Sequence, residues 1–143
     1  MHTGTAFDQP NSACLSRAQG CLAGQIAGDS LGSLVEFESA ASIERRYPGG
    51  VRFLSEGGTW GTIAGQPTDD SELALALARS LAVLGKYDEE AVARAYAAWY
   101  ASDPFDMGGP TRAALSAAAA ADRAGTGVVF AAREAANRGS QAN

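Results

Sequence analysis

The sequence has a single histidine and two cysteines, and this scarcity closes off several kinds of chemistry before any motif is considered. His2 falls in a segment expected to be a frayed tail, and neither Cys14 nor Cys21 has a ligand near it at zinc-type spacing, which excludes a Cys/His metal site. Any bound metal must then be held by oxygen. If both cysteines sit on one helix they stand about 10 Å apart by helical rise, too far for a disulfide, and reduced thiols are expected. Basic residues are also few, 11 against 16 acidic for a formal charge of -5, so the clustered positive surface that a nucleic-acid backbone needs is missing. No apolar run approaches the roughly 20 residues that span a bilayer, and no basic segment followed by a long apolar stretch opens the chain. The expectation is one domain with no membrane contact, located in the cytoplasm.

Convincing alternating strands and internal repeats are lacking as well, and what is present is helical periodicity. Residues 1–15 read as a flexible leader, and residues 16–143 as the helical part. From Ser16, read as an N-cap, Ala18, Leu22, Ile26 and Ala27 recur at helical spacing, with Gly20, Gly24 and Gly28 four residues apart. Glycine weakens a helix, so this stripe predicts a buried helix with another backbone close against it. A short helix is expected over 40–47, stopped by Pro48, Gly49 and Gly50, and the stretch holding Gly57, Gly58, Gly61 and Gly65 reads as loop. A strong helix starts near Asp69, carries Leu73, Ala74, Leu77, Leu81 and Leu84, and ends at Gly85. Others are expected over 88–101, where Tyr96 and Trp99 read as core, over 111–124 with Pro110 in the first turn, and over 128–137. The fold class is all-α, with the chemistry displayed on loops and helix starts.

Three places could carry that chemistry. Thr68, Asp69 and Asp70 put three oxygen side chains in succession at a helix start. Capping is one explanation, with Asp69 as the cap and Glu72 completing a capping-box-like pair. One cap leaves a carboxylate over, however, and a hydroxyl followed by two carboxylates is also what a hard cation such as Mg²⁺ or Mn²⁺ prefers. Glu36, flanked by Val35 and Phe37 and preceded by Asp29, is either a solvated loop carboxylate or, beside a metal, a group suited to moving a proton or holding a water. The run Asp106, Met107, Gly108, Gly109, Pro110, Thr111 is either an interhelical turn or a place where a ligand approaches the backbone closely. Gly125 and Gly127 complete no dinucleotide fingerprint, because Phe130 stands where the last glycine belongs and no strand precedes them.

Taken together, GDSLG at 28–32, VEF at 35–37, TDDS at 68–71 and DMGGPT at 106–111 resemble the ADP-ribosylglycohydrolase family in order and separation, over about residues 17–143. The resemblance implies a multi-helix fold packed around a pair of Mg²⁺ or Mn²⁺ ions, and a hydrolase that removes ADP-ribose from a modified protein side chain of arginine type or from a small acceptor. It implies Thr68, Asp69 and Asp70 as metal ligands, Glu36 as a proton-handling or water-positioning group, and Asp106 facing the ribose. Gly108, Gly109 and Thr111 are implied beside Asp106 at the substrate. The Asp29 position looks structural, and Ser71 stands where threonine is common. Family members supply further ligands from a later Asp-x-Asp-Thr/Ser segment, of which this chain has none, so the expectation is an N-terminal portion carrying half of the ligands. That leaves open a complementing chain, and also a non-catalytic protein of the same fold that binds ADP-ribose or serves structurally.

Overall fold

The computed structural model describes residues 11–139, which form six helices: α1 (Ser12–Gly32), α2 (Ala40–Arg46), α3 (Asp69–Leu84), α4 (Glu89–Tyr100), α5 (Gly109–Arg123) and α6 (Val128–Arg138). No strand occurs among the described residues, and the one extended pairing is an isolated bridge between Gly57 and Thr62 within the glycine-rich loop. The all-α expectation holds. None of these helices is long and apolar enough to cross a membrane.

Local signals set most helix ends. The Asp88 side chain accepts from Ala91 N at 3.0 Å to start α4, and Ser39 does the same for Ser42 N at 3.3 Å at α2. Gly85 ends α3 in the left-handed conformation (φ 66°), where a side chain would meet its own carbonyl, and its N–H closes on Leu81 O. Pro110 occupies the first turn of α5, where its missing N–H costs no hydrogen bond.

The helices pack in sequence, α3 on α4, α4 on α5 and α6, and α5 on α6, while α1 touches α3. Their core is built from small residues: Ala97 of α4, Ala118 and Ala119 of α5 and Val128 of α6, flanked by Ala93, Tyr100 and Ala132. Methyl-sized side chains let the helix axes approach closely, so the alanine-rich sequence of α5 serves packing as well as helix propensity. Polar contacts tie the same helices at the surface. Arg94 of α4 reaches Asp122 of α5 at 2.5 Å, Arg133 of α6 pairs with Glu89, and Glu90 accepts from Val129 N at 3.3 Å in the first turn of α6.

Two expectations at α1 are corrected. The helix begins at Ser12, capped by Asn11, whose side chain accepts from Ala13 N at 2.8 Å, so Ser16 lies inside the helix and the leader does not extend through residues 11–15. Residues 1–10, His2 included, lie outside the described residues. Nor is α1 closely packed along its glycines: a Cβ built on Gly20, Gly24 or Gly28 meets nothing within 4 Å. Only Ser30, near the carboxyl end of this helix, is buried, and among the described residues the one helix that α1 packs on is α3. Cys14 and Cys21 are free and exposed on the same helix.

Candidate active site

The carboxyl end of α1, the turn that follows it and the start of α3 meet around a cavity of 590 Å³. Asp29, Glu36, Asp69 and Asp70 all line it, together with Thr68, and none of its lining residues is basic. Gly24, Gly28 and Gly32 form the α1 wall. The glycine stripe therefore leaves room in front of the carboxylates instead of admitting a second backbone.

Asp29 organises the start of α3. Its Oδ2 accepts from Thr68 N at 2.9 Å and Ser71 N at 3.2 Å, and its Oδ1 accepts from Thr68 Oγ1 at 2.6 Å. A helix start leaves its first N–H groups without partners, and here a carboxylate 39 residues back in the chain satisfies two of them. The capping-box expectation is therefore corrected. Thr68 is the N-cap residue but its side chain makes no cap bond, and Glu72 accepts the Trp99 indole Nε1 at 2.6 Å instead of reaching back. With Asp29 acting as the cap, the Asp69 and Asp70 carboxylates are free of that duty. Burial pushes the Asp29 carboxyl up, but hydrogen bonds from Ser71 and Thr68 outweigh it and hold the group below its ordinary value. Thr68 and Ser71 are buried at 4% and 0% exposure, so the arrangement is fixed where α1 and α3 touch.

Glu36 is placed by a tight turn after α1. Arg46 of α2 donates to Leu34 O at 2.7 Å and pairs with Glu38 at 2.6 Å, which pins the turn from one side. The glycine-rich loop pins it from the other, and a Cβ on Gly58 (φ 72°) would lie 2.8 Å from both Leu34 Cα and Ser33 O. Only glycine fits that approach. Thr59 Oγ1 donates to Glu36 O at 2.6 Å, and Trp60 Nε1 donates to Glu36 Oε2 at 2.7 Å. Glu36 is thus a held carboxylate, not a freely solvated one.

Asp106 lies in the loop before α5 and does not line the cavity, but it feels the same field. Burial first, then the charges of Asp69, Glu36 and Asp70, push its carboxyl up to about 6 against a small opposing effect of the Met107 N–H. Asp70 is raised for related reasons, burial foremost, followed by Asp69, Asp29 and Glu36. Gly108 is the N-cap residue of α5, Gly109 its first residue and Thr111 follows in the first turn; none of the three lines the acidic cavity. The structure thus brings Glu36, Thr68, Asp69 and Asp70 onto one cavity, sets Asp106 within their electrostatic reach and leaves the glycine turn outside. Sequence reasoning missed Trp60 and Thr59. A tryptophan between the glycines of a polar loop was the available signal.

The donor set can be compared with the needs of a hard cation. Among the described residues no three carboxylate, histidine or cysteine side chains converge closely enough to hold an ion alone. Yet Asp69 and Asp70 crowd other carboxylates with no base to neutralise them, and Thr68 gives its hydroxyl hydrogen to Asp29, which leaves the oxygen's lone pairs for another partner. Two carboxylates and an oriented hydroxyl fit one flank of a Mg²⁺ or Mn²⁺ site.

An all-α domain whose helix starts and loops converge on an acidic cavity is the class that fold and site define. The ADP-ribosylglycohydrolase family profile matches residues 10–143, and the chain belongs to that family. It is similar to the ADP-ribosyl-dinitrogen reductase glycohydrolase of Rhodospirillum rubrum, 40% identical over 97 residues, covering 67% of this chain and 32% of the relative. It is also similar to the ADP-ribosylarginine hydrolase Tri1 of Pseudomonas putida, 35% identical over 108 residues (71% and 28%), and to human ADP-ribosylhydrolase ARH3, 36% over 93 residues (63% and 26%). The chain spans about a third of the length of the curated relatives it matches.

Proposed function

We propose that this chain supplies the acidic flank of a metal-dependent hydrolase that cleaves the glycosidic bond between ADP-ribose and a protein side chain of arginine type or a small acceptor. The observation that carries this reading is the convergence of Glu36, Thr68, Asp69 and Asp70 on a single cavity without a basic residue. Thr68, Asp69 and Asp70 would hold Mg²⁺ or Mn²⁺, and an ion bound there polarises a water and fixes ribose hydroxyls. Glu36, held by Trp60 through one carboxylate oxygen, keeps the other free to orient a water or take its proton. Asp106 accepts from or donates to the ribose, a role suited to a carboxyl raised to about 6, and together these carboxylates support the positive charge that builds at the anomeric carbon as its bond opens. Gly108, Gly109 and Thr111 let the substrate approach the start of α5 beside Asp106. A binuclear site would take its second flank from an Asp-x-Asp segment of the kind that the family resemblance implies.

A second reading is a non-catalytic ADP-ribose-binding or structural protein of the same fold, favoured by the lack of any self-sufficient metal cluster among the described residues. The two separate on one experiment, release of ADP-ribose from ADP-ribosylated arginine with Mg²⁺ or Mn²⁺. With the second flank present, the hydrolase predicts release that disappears in Asp69→Asn and in Asp70→Asn. Calorimetric binding of ADP-ribose without turnover, unchanged by those substitutions, supports the second reading.

A further inference from the structure

We infer that Trp60, with Thr59, is the positioning residue that fixes Glu36 at the rim of the acidic cavity and couples it to the segment bearing Asp106; its effect on turnover rests on the hydrolase reading above. The glycine-rich loop holds the Glu36 residue at two points. Thr59 Oγ1 fixes its main-chain carbonyl at 2.6 Å, and Trp60 Nε1 fixes its side-chain Oε2 at 2.7 Å. A flexible glutamate otherwise samples many rotamers, and a loop residue has no helix or sheet to limit them. The donor is itself held. The Trp60 ring packs edge-to-face between Phe37, at 6.3 Å and 75° between planes, and Phe105, at 6.1 Å and 65°. Phe37 directly follows Glu36 and Phe105 directly precedes Asp106, so one indole braces the two segments that carry the carboxylates outside α1 and α3. Behind it, Gly58 lies against the backbone of Ser33 and Leu34, which fixes the base of the loop.

An indole N–H suits this task. It donates only, so it occupies one carboxylate oxygen without competing for the proton that the other must handle. The energetic logic is preorganisation: a group held in one orientation before substrate arrives contributes more than one that must be ordered at the moment of reaction.

Trp99 supplies an internal control, because its Nε1 donates in the same way to Glu72, away from the cavity. In ¹⁵N-labelled protein, Glu36→Ala is expected to shift the Trp60 indole resonance and leave that of Trp99 in place. Trp60→Phe, which keeps the aromatic packing and removes the donor, is expected to raise the mobility of the Glu36 side chain in ¹³C relaxation. Thr59→Val, with a near-identical shape, raises it as well, and Thr59→Ser restores the wild-type value. If neither the indole resonance nor the mobility of Glu36 responds, the inference falls, whether or not the protein is active. In kinetics with the second flank present, Trp60→Phe should lower kcat roughly 10- to 100-fold at nearly constant KM, and cost nothing further in a Glu36→Ala background. A loss that persists in that background overturns the inference, since Trp60 then acts through something other than Glu36. Intact coupling by resonance with no turnover in any variant, wild type included, when the second flank is present, supports the positioning role and removes the hydrolase reading instead.

Discussion

Replacing Asp29 by alanine is expected to cost the fold far more than removing an ordinary helix cap, and the structure gives the size of the effect. The carboxylate accepts three hydrogen bonds, from Thr68 N, Thr68 Oγ1 and Ser71 N, and it joins α1 to the start of α3. Hydrogen bonds to a charged group contribute about 1.5–3 kcal/mol each, and a local cap about 0.5–2 kcal/mol, but three bonds to one partly solvated carboxylate do not add. A loss of about 3 kcal/mol is the expectation. Because Thr68 is 4% exposed, water cannot fully replace the lost acceptor. Urea unfolding followed by circular dichroism is the assay; with a slope of about 2 kcal/mol per molar, the midpoint falls by about 1.5 M. Asp29→Asn keeps one acceptor oxygen without the charge and is expected to lose about half as much. The comparison is Ser39→Ala, which removes a single exposed 3.3 Å bond at α2 and should cost under about 1 kcal/mol. The acid dependence has a defined sign. The Asp29 carboxyl is held below its ordinary 3.8, so its contribution is present above that pH and is lost as pH falls through the lowered value. Asp29→Asn removes that part of the acid transition. A midpoint for Asp29→Ala no lower than that for Ser39→Ala, or an unchanged acid limb in Asp29→Asn, refutes the reasoning.

Asp106 titrates the other way. With its carboxyl raised from 3.8 to about 6 by burial and by Asp69, Glu36 and Asp70, the folded state binds more protons than the unfolded one between those values. Stability due to Asp106 therefore declines as pH rises from about 3.8 through about 6, and a ¹³C carboxyl titration of metal-free protein should find a midpoint near 6 that drops in Asp69→Asn. Gly58→Ala places a methyl 2.8 Å from two backbone atoms at a positive φ, so a loss above about 2 kcal/mol is expected in thermal unfolding. Gly49→Ala, where nothing lies within 4 Å and φ is not positive, is expected to change stability little in the same assay. Gly28→Ala, in open space within α1, should stabilise the protein by up to about 1 kcal/mol; a clear loss there would restore the close-packed interpretation of the glycine stripe.

The helices and the candidate ligands were legible in the sequence for one reason: their signals are local. The Gly85 stop and Pro110 at the first turn of α5 act through groups one to four residues away, so the order of residues is enough to read them. The same holds for the adjacency of Thr68, Asp69 and Asp70. Where the sequence misled, a local signal had been given a local meaning. Glu72 stands three residues after Asp69, as a capping box requires, but Trp99 claims its carboxylate. The glycines of α1 share one face, but whether a face packs or stays open depends on what reaches it.

What only the tertiary structure decided was which distant group satisfies each helix start and each carboxylate. Asp29 caps α3 from 39 residues away, Glu90 reaches Val129 N of α6 from the same separation, and Trp60 holds Glu36 across 24 residues. Unpaired N–H groups and carboxylates accept any partner of suitable geometry, so sequence alone leaves the choice open. Packing of α1 on α3, and of the glycine-rich loop on the turn after α1, makes that choice. The acidic residues come from the sequence by itself; their convergence on one cavity, with Asp29 taking the capping duty from Asp69 and Asp70, comes from the fold.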